Sequence, residues 1–129
     1  MMRNALFSAG LLLVFAAAQP AFADGDAAAG EKVFARCKAC HTIEAGGPNR
    51  VGPNLHGIVG APAGEGRNDY KFSKGMHEAG EKGLTWTEDN LRKWLANPRE
   101  FVKGTKMIFP GIKSDKDMDN IIAYLKANS

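Results

Sequence analysis

The sequence predicts an all-α domain on three observations. Apolar residues recur at helical spacing in three segments, and no segment shows the alternation of a half-buried strand. The stretch from Thr42 to Asn68 holds seven glycines and three prolines and keeps neither period. A loop this long is unusual inside a compact domain, and a small domain has little apolar surface to bury. We therefore expect the loop to wrap around something other than protein chain.

The composition narrows the class of protein. The chain has 129 residues, of which 44% are hydrophobic and 24% charged, as in one soluble globular domain. Its two cysteines exclude a disulfide-rich framework. A formal net charge of +3 is too small to indicate nucleic-acid binding by itself, and none is expected.

Residues 1–23 predict a secretory signal peptide that is cleaved after Ala23. Arg3 is the only charged residue among them, Leu6 to Ala18 is almost wholly apolar, and Ala21-Phe22-Ala23 offers a small-residue cleavage site. The mature domain, residues 24–129, then carries 16 basic and 14 acidic residues and is expected in the periplasm. An uncleaved membrane anchor is the alternative, although the apolar run is shorter than the roughly 20 residues that span a bilayer.

The first predicted helix runs from Ala27 to Arg36, with Asp26 as its N-cap. Gly30 lies inside this helix, where glycine costs about 1 kcal/mol relative to alanine. We expect Gly30 to mark the close approach of another helix. A glycine that is merely tolerated is the alternative.

Two further helices are predicted in the second half of the chain. One begins at Thr85, because residues 85–88 have the form of a capping box, and ends near Asn97 before Pro98. The other begins after Ser114, with acidic residues near its start and Lys126 near its end, as the helix dipole favours. Their apolar faces are formed by Leu91, Trp94 and Leu95, and by Met118, Ile121, Ile122 and Leu125.

Both cysteines fall in the motif Cys37-Lys38-Ala39-Cys40-His41, which in an exported protein predicts covalent haem attachment. Two thiols three residues apart can reach the two vinyl groups on one edge of a porphyrin. The histidine that follows can then present its imidazole to the iron. We expect one haem c per chain, bound through Cys37 and Cys40.

Three other interpretations of the motif fit less well. A thioredoxin-like redox pair would need a βαβ pattern around it, whereas here a helix precedes and a loop follows. A structural zinc site needs four ligands, and the chain offers no second cysteine pair. A disulfide across this short gap would explain neither His41 nor the long loop.

An iron held by His41 has a sixth position, and five residues could fill it. Met118 is better explained as packing, His56 lies in the glycine-rich loop, and Met76 and His77 lie in a polar stretch that we expect to be exposed. Met107 stands in residues 104–111, where glycine and proline on both sides indicate a loop of fixed shape. The neighbouring Ile108 and Phe109 imply that this loop faces inward, so we predict that Met107 is the ligand. A buried methionine that fills a gap is the alternative.

The sequence resembles the class I c-type cytochromes, close to mitochondrial cytochrome c and the bacterial cytochromes c2, from about Gly25 to Asn128. The segments that carry the resemblance are residues 37–41, 52–57, 83–86, 97–98, 104–109 and 122–125. It implies a class I cytochrome c fold, in which three main helices and long loops wrap around one covalently bound haem.

The resemblance also implies roles for individual residues. The Pro53 carbonyl would accept the Nδ1–H of His41, and Trp86 would donate a hydrogen bond to a haem propionate. Thr105 and Phe109 would shape the methionine side of the haem. Gly30 and Phe34 would pack against Ile121 and Tyr124, where the terminal helices cross.

Four positions depart from the mitochondrial pattern. Ala61 stands where that pattern has an arginine near a propionate, and Trp94 replaces a tyrosine near the methionine sulfur. Lys103 replaces a proline, and Glu100 replaces a frequent lysine. The stretch from Gly64 to Lys82 aligns least well, and no family role is carried over to it.

With histidine and methionine on the iron, no coordination site is free for a substrate, which favours a soluble one-electron carrier over an enzyme. A haem enzyme or gas sensor would need an open sixth site, and a haem-delivery module has no signature here. The expected partners of this monomer are redox proteins such as a bc1-type complex, a terminal oxidase of a respiratory chain, a reductase, a dehydrogenase or a photosynthetic reaction centre. Basic residues around the two haem-binding segments would steer docking, namely Lys32, Arg36, Lys38, Lys103 and Lys106.

Overall fold

The computed structural model of the protein describes Gly10, residues 12–14 and residues 25–129. The predicted signal peptide and its cleavage site therefore lie, apart from four residues, outside the described residues. Within the described residues no helix is both long enough and apolar enough to cross a membrane. The helices there, in chain order, are α1 (Ala27–Phe34), α2 (Lys74–Glu81), α3 (Glu88–Ala96), α4 (Pro98–Phe101) and α5 (Asp115–Ala127).

The described residues hold no β-strand, and the one isolated bridge between Pro62 and Thr85 does not make a sheet. The all-α class is thus confirmed. A long segment without regular secondary structure joins α1 to α2, and α1 packs against α5.

The crossing of α1 and α5 depends on Gly30. A Cβ atom at this position would overlap the backbone carbonyl of Asn120 in α5. Phe34 and Tyr124 pack beside it with ring centroids 5.2 Å apart. The buried Asn120 side chain accepts the Asp26 backbone N–H at 2.9 Å, which ties the start of α1 to α5. The predicted close helix approach at Gly30 is confirmed.

The caps and ends of α1 and α5 follow the sequence closely. Asp26 caps α1, accepting from the N–H groups of Ala28 and Ala29, and Ser114 caps α5, as predicted. The predicted apolar stripe of α5 is buried along its length. Helix α1 ends at Phe34, two residues before the predicted Arg36, because the chain turns at residues 35–40 to present the cysteines.

The predicted start of α3 at Thr85 is wrong, because Thr87 and not Thr85 is the N-cap, its side chain accepting from the Asn90 N–H. The backbone of Trp86 is bonded to the loop instead, donating to Ala61 O at 2.8 Å and accepting from Gly60 N at 2.7 Å. These bonds hold residues 85–86 extended. The helix ends at Ala96 with Asn97 as its C-cap, as expected, and the short α4 then starts at Pro98.

Helix α2 was not predicted, and the expected exposure of Met76 is wrong. Met76 lies in α2 with only 6% of its surface exposed. Its helix has one large apolar residue and two glycines, so the sequence carries almost no helical period. The glycines allow close packing, because a Cβ at Gly75 would overlap the Lys103 carbonyl and one at Gly80 the Ala63 carbonyl.

Candidate haem site

A largely apolar cavity of about 420 Å³ lies between the loop, α2, α3 and the segment after α4. The sequence-predicted site residues all lie on its wall: Cys37, Cys40, His41, Pro53, Trp86, Thr105, Met107 and Phe109. Residues separated by 70 positions in the chain thus meet around one space. The cavity is where the sequence led us to expect a non-protein group.

The attachment motif forms a turn directly after α1. The Cys37 N–H donates to Phe34 O at 2.8 Å, and the His41 N–H donates to Cys37 O at 2.9 Å. A further bond from Cys40 N to Cys37 O closes the turn at 3.1 Å. The two thiols and the imidazole are therefore presented by one compact, hydrogen-bonded segment.

The His41 ring is fixed from two sides. Its Nδ1–H donates to Pro53 O at 2.7 Å, the hydrogen bond that the family resemblance implies. A Cβ at Gly52 would collide with the ring, so this glycine leaves the space that the imidazole occupies. Burial lowers the pKa of His41, against the opposing effect of the Pro53 carbonyl. The neutral ring then has Nε2 free of a proton, which is the form that binds a metal.

The cysteines do not have the properties of a redox pair. Burial raises the pKa of the Cys37 thiol to about 11, against the opposing effect of the Arg36 charge. Reactive thiols of redox motifs have the opposite shift. Cys37 and Cys40 are both free of a disulfide. No group of three or more His, Cys, Asp or Glu residues suited to a metal ion occurs in the described part of the chain.

The methionine segment is held by its own turn and by one lysine. The Met107 N–H donates to Thr105 Oγ1 at 3.2 Å, and Thr105 N donates to Val102 O. The Lys106 ammonium donates to the Lys71 carbonyl and lies 4.7 Å from the centre of the Tyr70 ring. Met107 is thereby held, half-buried, on the cavity wall.

The prediction that the loop at residues 104–111 faces inward is only partly correct. Phe109 is half-buried, but Ile108 is 85% exposed although it borders the cavity. Two adjacent residues of an extended segment point to opposite sides, so one of them must face solvent. Ile108 therefore belongs to the rim of the site.

A second methionine, Met76, also lies on the cavity wall. The remaining candidates for the sixth position lie elsewhere. Met118 is packed in the core, His77 is exposed and paired with Glu81, and the His56 ring bonds to Ile43 O at 3.2 Å. Of the five candidates, the structure therefore places Met76 and Met107 on the cavity wall.

Aromatic residues close the inner end of the cavity. Trp86 and Trp94 pack with ring centroids 5.4 Å apart, and Phe101 lies behind Trp86 at 6.4 Å. Both tryptophans are buried and line the cavity. Trp94, one of the departures from the mitochondrial pattern, adds apolar surface where that pattern has a phenol.

Sequence reasoning missed three residues that line the cavity, namely Arg67, Tyr70 and Phe72. They belong to the stretch that aligns least well with the family. Because an arginine in a run of glycines is usually solvated, no pattern in the sequence predicts that Arg67 lines the site. The ring contact between Tyr70 and Phe72, at 4.9 Å, is likewise invisible in the sequence.

These residues fit a haem. The wall is largely apolar, the paired thiols and a neutral imidazole lie on one turn, and the guanidinium of Arg67 also lines the cavity. Cys37 and Cys40 would form the thioethers, and His41 would bind the iron.

Comparison with known proteins agrees with this geometry. A family model described as cytochrome c matches residues 27–129. The chain is 51% identical over 111 residues to the cytochrome c homolog of Bradyrhizobium diazoefficiens, a match that covers 86% of this chain but only 56% of that longer protein. It is 43% identical to a cytochrome c2 of Rhodospirillum rubrum, with 97% of this chain and 98% of that protein covered. The solved structure of cytochrome cH from Methylobacterium extorquens matches with a TM-score of 0.73 and 56% identity, over 80% of this chain and 99% of the other.

Proposed function

The chain belongs to the cytochrome c family and carries covalently bound haem c, and we propose that it is a one-electron carrier with His41 and Met107 as the axial ligands. The observation that carries the proposal is that His41 and Met107 line the same largely apolar cavity. When bound, the haem supplies an iron that exchanges one electron between its ferric and ferrous states.

The protein's own residues set the properties of that exchange. The Pro53 carbonyl orients His41 and keeps its tautomer fixed, so the ring needs no rearrangement when the charge changes. The Met107 thioether and the apolar wall favour the ferrous state, which raises the potential. Filling both axial positions leaves no site for a substrate, and this supports a carrier rather than an enzyme.

The mouth of the cavity supports transient docking to a redox partner. Val51 and Ile108, exposed by 74% and 85%, border the cavity and offer a small apolar contact. The basic residues expected to steer docking are all exposed, and Arg36 and Lys106 also border the cavity. We propose that this rim meets acidic surfaces on electron donors and acceptors of the kinds named from the sequence.

We also propose export to the periplasm through the signal peptide at residues 1–23, followed by release of residues 24–129 as a soluble monomer. The alignment with the Rhodospirillum rubrum cytochrome c2 extends over nearly the whole chain and so includes most of this leader. Mass spectrometry of the exported protein tests the cleavage site. A mature N-terminus at Asp24 is expected, and an intact leader would contradict the proposal.

A potentiometric titration tests the carrier function against the alternative of a haem enzyme. We expect a reversible one-electron transition and almost no peroxidase turnover, because Met107 blocks the iron. The Met107→Ala variant is the matched comparison and should gain peroxidase turnover by at least tenfold, the scale of a barrier lowered by about 1.4 kcal/mol. Strong peroxidase turnover in the unaltered protein, equal to that of the variant, would favour the enzyme.

A further inference from the structure

Arg67 lies half-buried on the wall of the haem cavity. One terminal nitrogen donates to His56 O at 2.6 Å and the other to Gly57 O at 3.3 Å. These two bonds hold the guanidinium against the loop, and they use only two of its five N–H donors. The group is therefore fixed in place and still able to bind a further acceptor.

The loop that carries Arg67 is built to hold it there. Asn49 donates through its side-chain amide to the carbonyls of Arg67 and Asn68, at 2.8 and 2.9 Å. Asn68 and Asp69 both adopt positive φ, which is unusual for residues other than glycine. The Tyr70 hydroxyl then donates to Val51 O at 2.6 Å, which closes the segment against the cavity.

The charge of Arg67 has no counterpart among the residues that the structure describes. Within the described residues, its side chain forms no ion pair with a carboxylate, and its only acceptors there are the two neutral carbonyls. Burial lowers the pKa of Arg67, yet arginine stays protonated in proteins. A half-buried, fixed cation beside an apolar cavity calls for an anion within that cavity.

We propose that Arg67 binds and neutralises a haem propionate in this cavity. It would take the place of the arginine that the mitochondrial pattern has where this chain has Ala61. A guanidinium can bind a carboxylate through two parallel N–H bonds, and Arg67 has the donors for this. The proposal depends on the covalently bound haem and is independent of which residue is the sixth ligand.

The ionisable groups near Arg67 are engaged in other contacts or lie at exposed positions, so Arg67 is the group that we assign to the propionate. The Tyr70 hydroxyl donates to the Val51 carbonyl, the Lys106 ammonium bonds to the Lys71 carbonyl, and Arg36 forms a salt bridge with Asp117. His41 and the two cysteines belong to the attachment motif. Nearby in the loop, Glu65 and Asp69 are exposed, and the His56 ring faces Ile43.

The midpoint potential of the holoprotein as a function of pH tests the proposal. Removing a fixed positive charge near the haem disfavours the reduced state. At pH 8 and a fixed ambient potential, Arg67→Gln should lower the ratio of reduced to oxidised protein about tenfold, from a Coulomb interaction at an effective dielectric of about 20. Below pH 8 the unpaired propionate should take up a proton, so the potential of the variant should rise as the pH falls towards 5.

Two control variants separate charge from structure. Arg99→Gln removes an equal charge from an exposed position off the cavity and should match the unaltered protein. Arg67→Lys keeps the charge but loses the two-pronged contact with the loop, so it should recover the potential even if the protein unfolds more easily. If Arg67→Gln matches Arg99→Gln, or if Arg67→Lys behaves like Arg67→Gln, the proposal is wrong.

A third variant identifies the group whose protonation causes the pH dependence of the midpoint potential. In a His56→Gln background the pH dependence of the Arg67→Gln variant should persist, because it comes from the propionate. Its disappearance would identify His56 as the titrating group and overturn the proposal.

Discussion

The proposed function depends on Met107 more than on any other single residue. It shares the cavity wall with Met76, so the structure offers two thioethers where a carrier needs one ligand. The two methionines differ in the contacts that hold them in place. Each has a backbone N–H bonded to a hydroxyl, of Thr105 and of Ser73, but Met107 is half-buried outside any helix, whereas Met76 is packed in the core on helix α2.

Paired substitutions of the two methionines distinguish them. Met107→Ala should abolish the sulfur-to-iron absorption band of the oxidised protein, lower the potential and admit cyanide quickly, because the iron loses its thioether. Met76→Leu conserves volume and should keep the band, with a loss of stability below about 1.5 kcal/mol. The opposite pattern of spectra would assign the ligand to Met76.

At the scale of helices, the crossing of α1 and α5 depends on the absence of a single methyl group. In an exposed helix, replacing glycine by alanine would stabilise the protein by about 1 kcal/mol. At Gly30 the added Cβ would overlap the Asn120 carbonyl, so the helices would have to separate. We expect Gly30→Ala to lower the free energy of unfolding by about 1–3 kcal/mol, the usual cost of overpacking.

Chemical denaturation of the oxidised holoprotein measures this effect. Ala28→Gly, on the exposed face of the same helix, is the control for helix propensity and should cost about 1 kcal/mol. A Gly30→Ala variant that is more stable than the unaltered protein would show that the two helices do not depend on the missing side chain.

The helices differ in how far the sequence predicts them. Helix α5 has four apolar residues at helical spacing and a serine cap, so its start and its buried face follow from the sequence. Helix α2 has one large apolar residue, and its position depends on contacts of Gly75 and Gly80 with distant backbone. The start of α3 was misplaced because hydrogen bonds between residues 60–61 and Trp86 outweigh a local capping pattern. For both the missed helix α2 and the misplaced start of α3, a tertiary contact determines the local structure.

At the scale of the whole molecule, the haem completes the core. The motif at residues 37–41 is specific enough for the sequence alone to predict covalent haem attachment and the histidine that binds the iron. The sequence did not reveal Arg67 or Met76 in the cavity, because neither follows from spacing. Their places depend on how the loop and α2 fold around the site.

An electron carrier of this kind has an iron that is closed on both sides by protein ligands. Absorption spectra of the exported protein, oxidised and reduced, with and without carbon monoxide, test this closure most directly. We predict a c-type reduced spectrum, a far-red sulfur-to-iron band in the oxidised form and no response to carbon monoxide. A c-type spectrum that lacks the band and shifts with carbon monoxide would mean an open iron and would contradict the account.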